Sequence, residues 1–138
     1  MTKQTRSMHG KSGRPEKTYD LEERTARFGE AIIAFARMIP VDPVTQPLVG
    51  QLVRAGTSVG SNYCEADEAG SAKEFRYRIS VCKRESKESK YWLRVIAVAL
   101  PALKDKARAL WLEAQELTLI FGAIHRSRKA RQPAAGEA

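Results

Sequence analysis

Residues 51–93, QLVRAGTSVGSNYCEADEAGSAKEFRYRISVCKRESKESKYWL, decide the fold of this chain. They hold two helical patterns joined by a short turn at Gly70, and polar residues stand beside the apolar stripe of each pattern. A buried polar group that lacks a partner costs roughly 1–3 kcal/mol. Polar residues inside these helices therefore indicate a specific arrangement, and that arrangement does not resemble a catalytic site.

Apolar residues recur at intervals of three and four along the middle of the chain, the spacing of one face of an α-helix. Pro40 and Pro101 each stop a helix, and Ser71 followed by Glu74 is a capping box that starts one. The sequence predicts four helices, at about residues 20–39, 44–70, 72–100 and 105–128. Four amphipathic helices joined by short turns predict an all-α fold, an antiparallel up-down-up-down four-helix bundle.

The net charge of +8 is concentrated at the two ends of the 138-residue chain. Residues 1–18 contain five Lys or Arg against one Glu, and residues 126–138 contain four against one. Since little in the terminal segments can be buried, we expect residues 1–18 to be a flexible basic arm, 19–128 the bundle and 129–138 a flexible tail. The net charge alone is therefore weak evidence that the bundle itself binds nucleic acid.

No segment of the chain predicts a membrane span. The longest apolar run, from Val95 to Leu103, has nine residues and contains Pro101, whereas a membrane helix needs about 18. The basic N-terminus lacks the apolar stretch of a signal peptide. We expect a cytoplasmic protein, and two cysteines without a disulfide pattern, Cys64 and Cys82, fit a reducing compartment.

The polar residues beside the two central stripes predict a structural network. An arginine flanked by carboxylates across a helix pair makes charge-assisted hydrogen bonds, which fix helix register or subunit pairing. A carboxylate-rich metal site is the alternative, but it requires Glu-x-x-His pairs, and neither His9 nor His125 stands in such a pair. We expect no metal and no cofactor. The predicted network comprises Arg54, Ser58, Asn62, Glu65, Glu85 and Glu88.

Two further features concern close packing and assembly. Gly56 and Gly60 lie one helical turn apart, and glycine in a helix costs about 1 kcal/mol, so their face is expected to admit another backbone, in the same subunit or in the next.

Apolar residues outside the main stripes exceed what one core needs and predict an oligomer interface; alternatively, they cap the ends of the bundle. The predicted interface residues are Trp92, Trp111, Leu112 and Leu119.

A basic stripe runs along the third helix. Between residues 73 and 94 there are eight basic and three acidic residues. Six of the basic residues fall within a sector of about 100° on one flank, and such a stripe either contacts phosphates or is a solvated face that keeps the protein soluble. The six candidate nucleic-acid-binding residues are Lys73, Arg76, Lys83, Lys87, Lys90 and Arg94.

The residues of the polar network, together with Phe75 and the segment KRESKESKYWL at 83–93, resemble the signature of the bacterial four-helix bundle proteins, also called 23S ribosomal RNA intervening-sequence proteins. The resemblance covers about residues 19–128. It implies an up-down-up-down bundle, a homopentameric ring and no known enzymatic activity. A distant relative by fold is the accessory variability determinant of diversity-generating retroelements, which binds a reverse transcriptase and nucleic acid.

One departure from the family pattern bears on packing. Many members have a Gly-Ser pair in the third helix where this chain has Arg84 and Glu85. The resemblance therefore does not determine how the helices pack near Glu85 or how the subunits of the pentameric ring are arranged.

We consider three possible functions for this protein. The first is a non-enzymatic homo-oligomeric scaffold that associates with RNA or DNA through basic surfaces. The second is a protein-interaction adaptor, such as an accessory subunit of a reverse transcriptase, with no direct role in nucleic-acid binding. The third is an enzyme, which the absence of a Ser/His/Asp, Cys/His or paired-histidine set disfavours. No small-molecule substrate is expected.

Overall fold

The computed structural model describes residues 21–136, with side-chain surroundings over residues 21–127. Four α-helices follow one another: α1 (Leu21–Ala36), α2 (Thr45–Asp67), α3 (Ala72–Ala99) and α4 (Lys104–Gly136), with a 3-10 turn (Pro101–Leu103) before α4. Over this part of the chain there is no strand, which confirms the all-α prediction. The predicted basic arm, residues 1–18, lies outside the described residues.

Polar side chains start two of the helices. The Ser71 hydroxyl accepts a hydrogen bond from the Glu74 N–H at 3.1 Å, as the capping box predicted. One Asp42 carboxylate oxygen accepts from the N–H groups of Thr45 and Val44, at 2.9 and 2.8 Å. These bonds lower the pKa of Asp42 and set the start of α2, which the sequence located only to within a turn.

The α3 helix is the centre of the bundle. It packs against α2 on one side and α4 on the other, while α1 packs on α2 and touches α4 lightly. Arg24 of α1 bridges that light contact by donating to both carboxylate oxygens of Glu113 on α4, at 2.7 and 2.9 Å. The largest fully buried apolar side chains are Phe121, Leu21, Ile32, Leu52, Ile79, Leu93, Ile96, Leu117 and Val59.

Small polar residues in the α3 core stripe are satisfied within their own helix. The Ser86 hydroxyl donates to the Cys82 carbonyl at 2.9 Å, and the Ser89 hydroxyl donates to the Glu85 carbonyl at 2.8 Å. Both serines are fully buried. Because the hydroxyl bonds one turn back, the buried oxygen keeps a partner and its small side chain lets the neighbouring helices pack closely.

Gly56 and Gly60 of α2 face α1 of the same chain. A Cβ atom at Gly56 would lie 2.7 Å from Cγ1 of Ile32, and one at Gly60 would lie 3.3 Å from the Thr25 carbonyl oxygen. Ile32 is fully buried and has no room to move away. The close backbone approach predicted for these glycines is therefore within the subunit.

The C-terminal boundary differs from the prediction. The sequence placed the end of the last helix near residue 128 and a flexible tail over 129–138, but α4 continues to Gly136. Residues 128–132 are Arg, Lys, Ala, Arg and Gln, all good helix formers with no stop signal among them. The existing helix therefore propagates through them at little cost.

None of the helices described over residues 21–136 combines the length and the apolar character that crossing a membrane requires.

Candidate functional site

The centre of the predicted polar network joins α2 to α3. Nη1 of Arg54 lies 3.2 and 3.4 Å from the two carboxylate oxygens of Glu85, and Nη2 lies 2.9 Å from Oε2 of Glu88. The Glu85 side chain is only 9% exposed, whereas that of Arg54 is 47% exposed. Partial burial opposes the charge of Arg54, but attraction to Glu85 and Glu88 outweighs it and raises the pKa of Arg54.

Two other residues of the predicted polar network do not contact Arg54. Asn62 belongs to a separate pair of hydrogen bonds, and Glu65 makes no such bond within the described residues. Asn62 donates to the Ser58 carbonyl at 2.9 Å, and its own side-chain oxygen accepts from Arg78 Nη1 at 2.9 Å. Arg78 was not predicted in this role. Glu65 is exposed near the end of α2 and makes no hydrogen bond or ion pair within residues 21–127. Within those residues the structure therefore does not join Glu65 to the network, and its exposed carboxylate faces solvent.

The α3 helix keeps most of its positive charge uncompensated. Within the described residues, every ion pair is made by an arginine of α1 or α2: Arg24, Arg27 or Arg54. None of the eight Lys and Arg residues of α3 pairs with a carboxylate in that part of the chain. Two of the three glutamates on α3 are engaged by Arg54 of the neighbouring helix. Within that part of the chain, the cations of α3 therefore carry no ion pair.

The basic stripe divides into an exposed part and a packed part. Lys73, Lys87 and Arg94 are exposed. Arg76, Lys83 and Lys90 are half-buried, and Nζ of Lys90 donates to Gln115 of α4 at 2.5 Å and lies 5.1 Å from the centre of the Trp111 ring. The six residues were predicted to share one flank of α3, but one edge of that 100° sector borders α4 and is packed against it.

Two cations converge at the α3–α4 boundary over Gly122. A Cβ atom at Gly122 would lie 3.4 Å from Nη1 of Arg126 and 3.8 Å from Nζ of Lys83. Neither cation pairs with a carboxylate among the described residues. Both cations approach the same point on α4, and two like charges near one point attract an anion. Arg126 was missed because the sequence assigned its charge to the tail.

Three exposed residues extend the basic surface on its outer side. Tyr77 is 56% exposed and Tyr91 is 57% exposed, and the exposed Arg84 lies midway between them in sequence. Sequence reasoning passed over all three as candidate binding residues. The signal in the sequence was their common spacing of seven residues, which places all three on one face of the helix.

The chain is similar in sequence to a known protein family. The family model described as "23S rRNA-intervening sequence protein" matches residues 17–122. The chain belongs to this family. The resemblance drawn from the polar residues of the second and third helices is confirmed.

The fold is also similar to that of a solved structure. A crystal structure titled as a protein with unknown function from the S23 ribosomal protein family, from Bacteroides thetaiotaomicron VPI-5482, superposes with a TM-score of 0.66. It is 20% identical, covers 75% of this chain and is itself covered over 96% of its length. At that identity the likeness concerns the fold. No functionally curated protein matches the chain in sequence.

The predicted interface residues of this family member lie in two different environments. Trp92 and Trp111 are half-buried and pack against the core, and the Trp92 indole N–H donates to Glu88 at 3.3 Å. Leu112 and Leu119 are exposed on α4, seven residues apart. Within one chain, the core thus covers part of both tryptophan rings, whereas both leucine side chains stay exposed.

Among the described residues, a buried cysteine is a further polar feature. Cys82 is buried with its thiol 3.5 Å from the Val59 carbonyl, and burial raises the pKa of this thiol to about 12. Over the described residues, no group of three His, Cys, Asp or Glu side chains is arranged to hold a metal ion.

An open groove of about 420 Å³ lies between α1 and α2. Its lining includes Gly29 and Gly60 together with Glu22, Glu23 and Glu30. These carboxylates disfavour phosphate, so the groove and the α3 surface suit ligands of opposite charge.

Proposed function

We propose that this protein is a non-enzymatic homo-oligomeric scaffold that associates with RNA or another nucleic acid through α3. The observation that carries the proposal is the charge of α3, where eight cations have no carboxylate partner among the described residues. Phosphates attract such cations over many angstroms and release counterions when they bind.

The exposed cations Lys73, Arg84, Lys87 and Arg94 supply the primary phosphate contacts in this proposal. Lys83 and Arg126, which converge over Gly122, add a second contact at the α3–α4 boundary. Lys90 serves packing, because Gln115 and Trp111 already engage its ammonium group.

Self-association strengthens the proposed binding. The uncovered Leu112 and Leu119 on α4 favour burial against another copy of the chain, and the family resemblance indicates five copies. Each copy repeats the α3 surface, so one nucleic-acid strand would engage several subunits at a high effective concentration.

Charge reversal on α3 tests the nucleic-acid half of the proposal. The triple variant Lys73→Glu, Lys87→Glu, Arg94→Glu is compared with Arg37→Glu, Lys106→Glu, Arg108→Glu, which reverses three exposed cations elsewhere. Both variants change the net charge equally. Fluorescence anisotropy with a labelled RNA at about 50 mM salt should show loss of binding for the α3 variant and much weaker loss for the control.

The salt dependence of RNA binding and the deletion of the N-terminal arm provide two further tests. The slope of log affinity against log salt should approach −0.7 times the number of phosphates neutralised on a single strand, and it should be shallower for the α3 variant. Deletion of residues 1–18 removes the basic arm. Binding that vanishes with the arm and survives the α3 reversal would contradict the proposal.

The adaptor function is the alternative, and the uncovered apolar surface of α4 is what favours it. Failure of the full-length protein to bind any RNA or DNA at about 50 mM salt would make a protein partner, such as a reverse transcriptase, the better proposal.

A further inference from the structure

We infer that the outer face of α3 binds single-stranded nucleic acid by stacking unpaired bases on Tyr77 and Tyr91. This inference rests on the proposed function and narrows it to one class of ligand. Its starting observation is the exposure of both rings, 56% for Tyr77 and 57% for Tyr91. Both lie on the helix whose cations lack carboxylate partners.

The two tyrosines and Arg84 form one row. Residues spaced by seven drift by only about 20° per repeat around an α-helix, so positions 77, 84 and 91 share a face. At 1.5 Å per residue, the tyrosines are about 21 Å apart along the helix axis. About six nucleotides at the 3.4 Å spacing of a stacked strand span that distance. Arg84 lies at its midpoint, where a guanidinium also stacks on a base.

Cations flank this row on the side towards α4. Lys73 precedes Tyr77 by four residues, while Lys87 and Arg94 stand four before and three after Tyr91. Residues at these spacings are neighbours on a helix surface. Each tyrosine therefore has an exposed cation beside it, the combination by which single-strand-binding proteins hold bases and phosphates together.

Both rings are held in place by neighbours within α3. The guanidinium carbon of Arg78 lies 5.6 Å from the centre of the Tyr77 ring. The Tyr91 and Trp92 rings are 4.9 Å apart at an interplanar angle of 77°. Because these contacts order the rings before any ligand arrives, less conformational entropy is lost on binding.

A double-stranded ligand would make little use of this arrangement. The base faces in a duplex are covered by stacking, and the deep major groove of an RNA helix does not admit side chains. A duplex would thus meet only the cations, whereas a single strand would meet both the cations and the rings.

The experiment compares three full-length proteins on two ligands. The proteins are wild type, Tyr77→Ala with Tyr91→Ala, and Tyr77→Phe with Tyr91→Phe. The ligands are a mixed-sequence single-stranded RNA of about 12 nucleotides, within the usual site sizes, and the same strand paired with its complement. The Phe variant keeps the stacking surface and removes only the hydroxyl groups.

Wild type should bind the single strand more tightly than the duplex. The Ala variant should lose roughly tenfold in single-strand affinity for each tyrosine, with an unchanged salt slope and unchanged duplex binding. The Phe variant should stay within about twofold of wild type.

Three results would overturn the inference. Equal single-strand affinity of the Ala variant and wild type would show that the rings do not stack on bases. An equal loss in the Phe variant would assign the effect to the hydroxyl groups. A change in oligomeric mass for the Ala variant, measured by light scattering, would place the tyrosines against another copy of the chain. Absence of any RNA binding by wild type is a different outcome, since it would overturn the proposed function itself.

Discussion

Arg54 of α2 donates hydrogen bonds to both carboxylate oxygens of Glu85 on α3, 31 positions along the chain. The contact fixes the register of the two helices around a carboxylate that is almost fully buried. It also takes Glu85 away from the cations of its own helix. The Arg54–Glu85 pair thus joins α2 to α3 and keeps this carboxylate from pairing with the cations of α3.

Replacing Arg54 should destabilise the fold. We expect Arg54→Ala to lower the free energy of unfolding by about 1–3 kcal/mol, because the buried Glu85 carboxylate loses its partner. The loss stays below the 3–5 kcal/mol typical of fully buried pairs, since water screens the half-exposed Arg54. Arg27→Ala is the control: it breaks an exposed pair with Glu23 and should cost less than about 0.5 kcal/mol. Urea denaturation measures both, and equal losses would contradict a structural role for the Arg54–Glu85 pair.

Two glycines of α2 should respond in opposite directions to alanine. Gly56→Ala forces a methyl group against the buried Ile32, and overpacking of this kind costs about 1–3 kcal/mol. Gly50 has no atom within 4 Å of its hypothetical Cβ, so Gly50→Ala should stabilise the helix by about 0.5–1 kcal/mol. Thermal or urea unfolding of the two variants distinguishes the effects. A stabilised Gly56→Ala variant would show that α1 and α2 are not in close contact.

The two cysteines should differ in reactivity. Cys64 is exposed and Cys82 is buried, and burial raises the pKa of the Cys82 thiol to about 12. At about pH 8, a thiol reagent should modify one cysteine in the folded protein and two in denaturant. Rapid modification of both cysteines in the folded state would contradict this burial.

The same thiol gives a pH dependence of stability. An unfolded cysteine ionises near pH 8.5, whereas folded Cys82 ionises only near 12. Its contribution to stability is therefore complete below about pH 8.5 and declines as the pH rises towards 12. Cys82→Ala should remove this part of the alkaline loss, which unfolding curves between those two pH values can measure.

The leucines of α4 should control assembly. Wild type should have a light-scattering mass of about five times the 15.4 kDa chain. Leu112→Glu with Leu119→Glu should shift the mass towards the monomer, because a carboxylate buried without a partner opposes association. Val41→Glu changes another exposed apolar residue and serves as the control. A stable wild-type monomer near 15.4 kDa would contradict the oligomeric scaffold.

The local features of the fold were readable in the sequence. The four helices follow from the spacing of apolar residues and from the prolines between them, and Ser71 caps α3 as its spacing from Glu74 predicts. These features depend on hydrogen bonds and packing within a few residues, so a short window contains their causes. The last helix was predicted too short because residues 128–132 are helix formers that do not mark an end, and α4 also continues past Pro133.

The candidate surface was only partly predictable. The spacing of Arg54, Glu85 and Glu88 indicated an ion-pair cluster, but the same kind of spacing also included Glu65, which is solvated. The 100° sector of cations was correct as helix geometry. It could not distinguish the exposed Lys87 from Lys90, which packs on α4.

The sequence by itself determined which segments are helical and which face of each is apolar, because those properties follow from local geometry. Only the tertiary structure decided that Arg24 meets Glu113, 89 positions away, that Gly56 meets Ile32 and that two cations converge over Gly122. The reason is physical: such contacts depend on the relative rotation and offset of two packed helices. That geometry is set by how all the side chains of the core fit together at once.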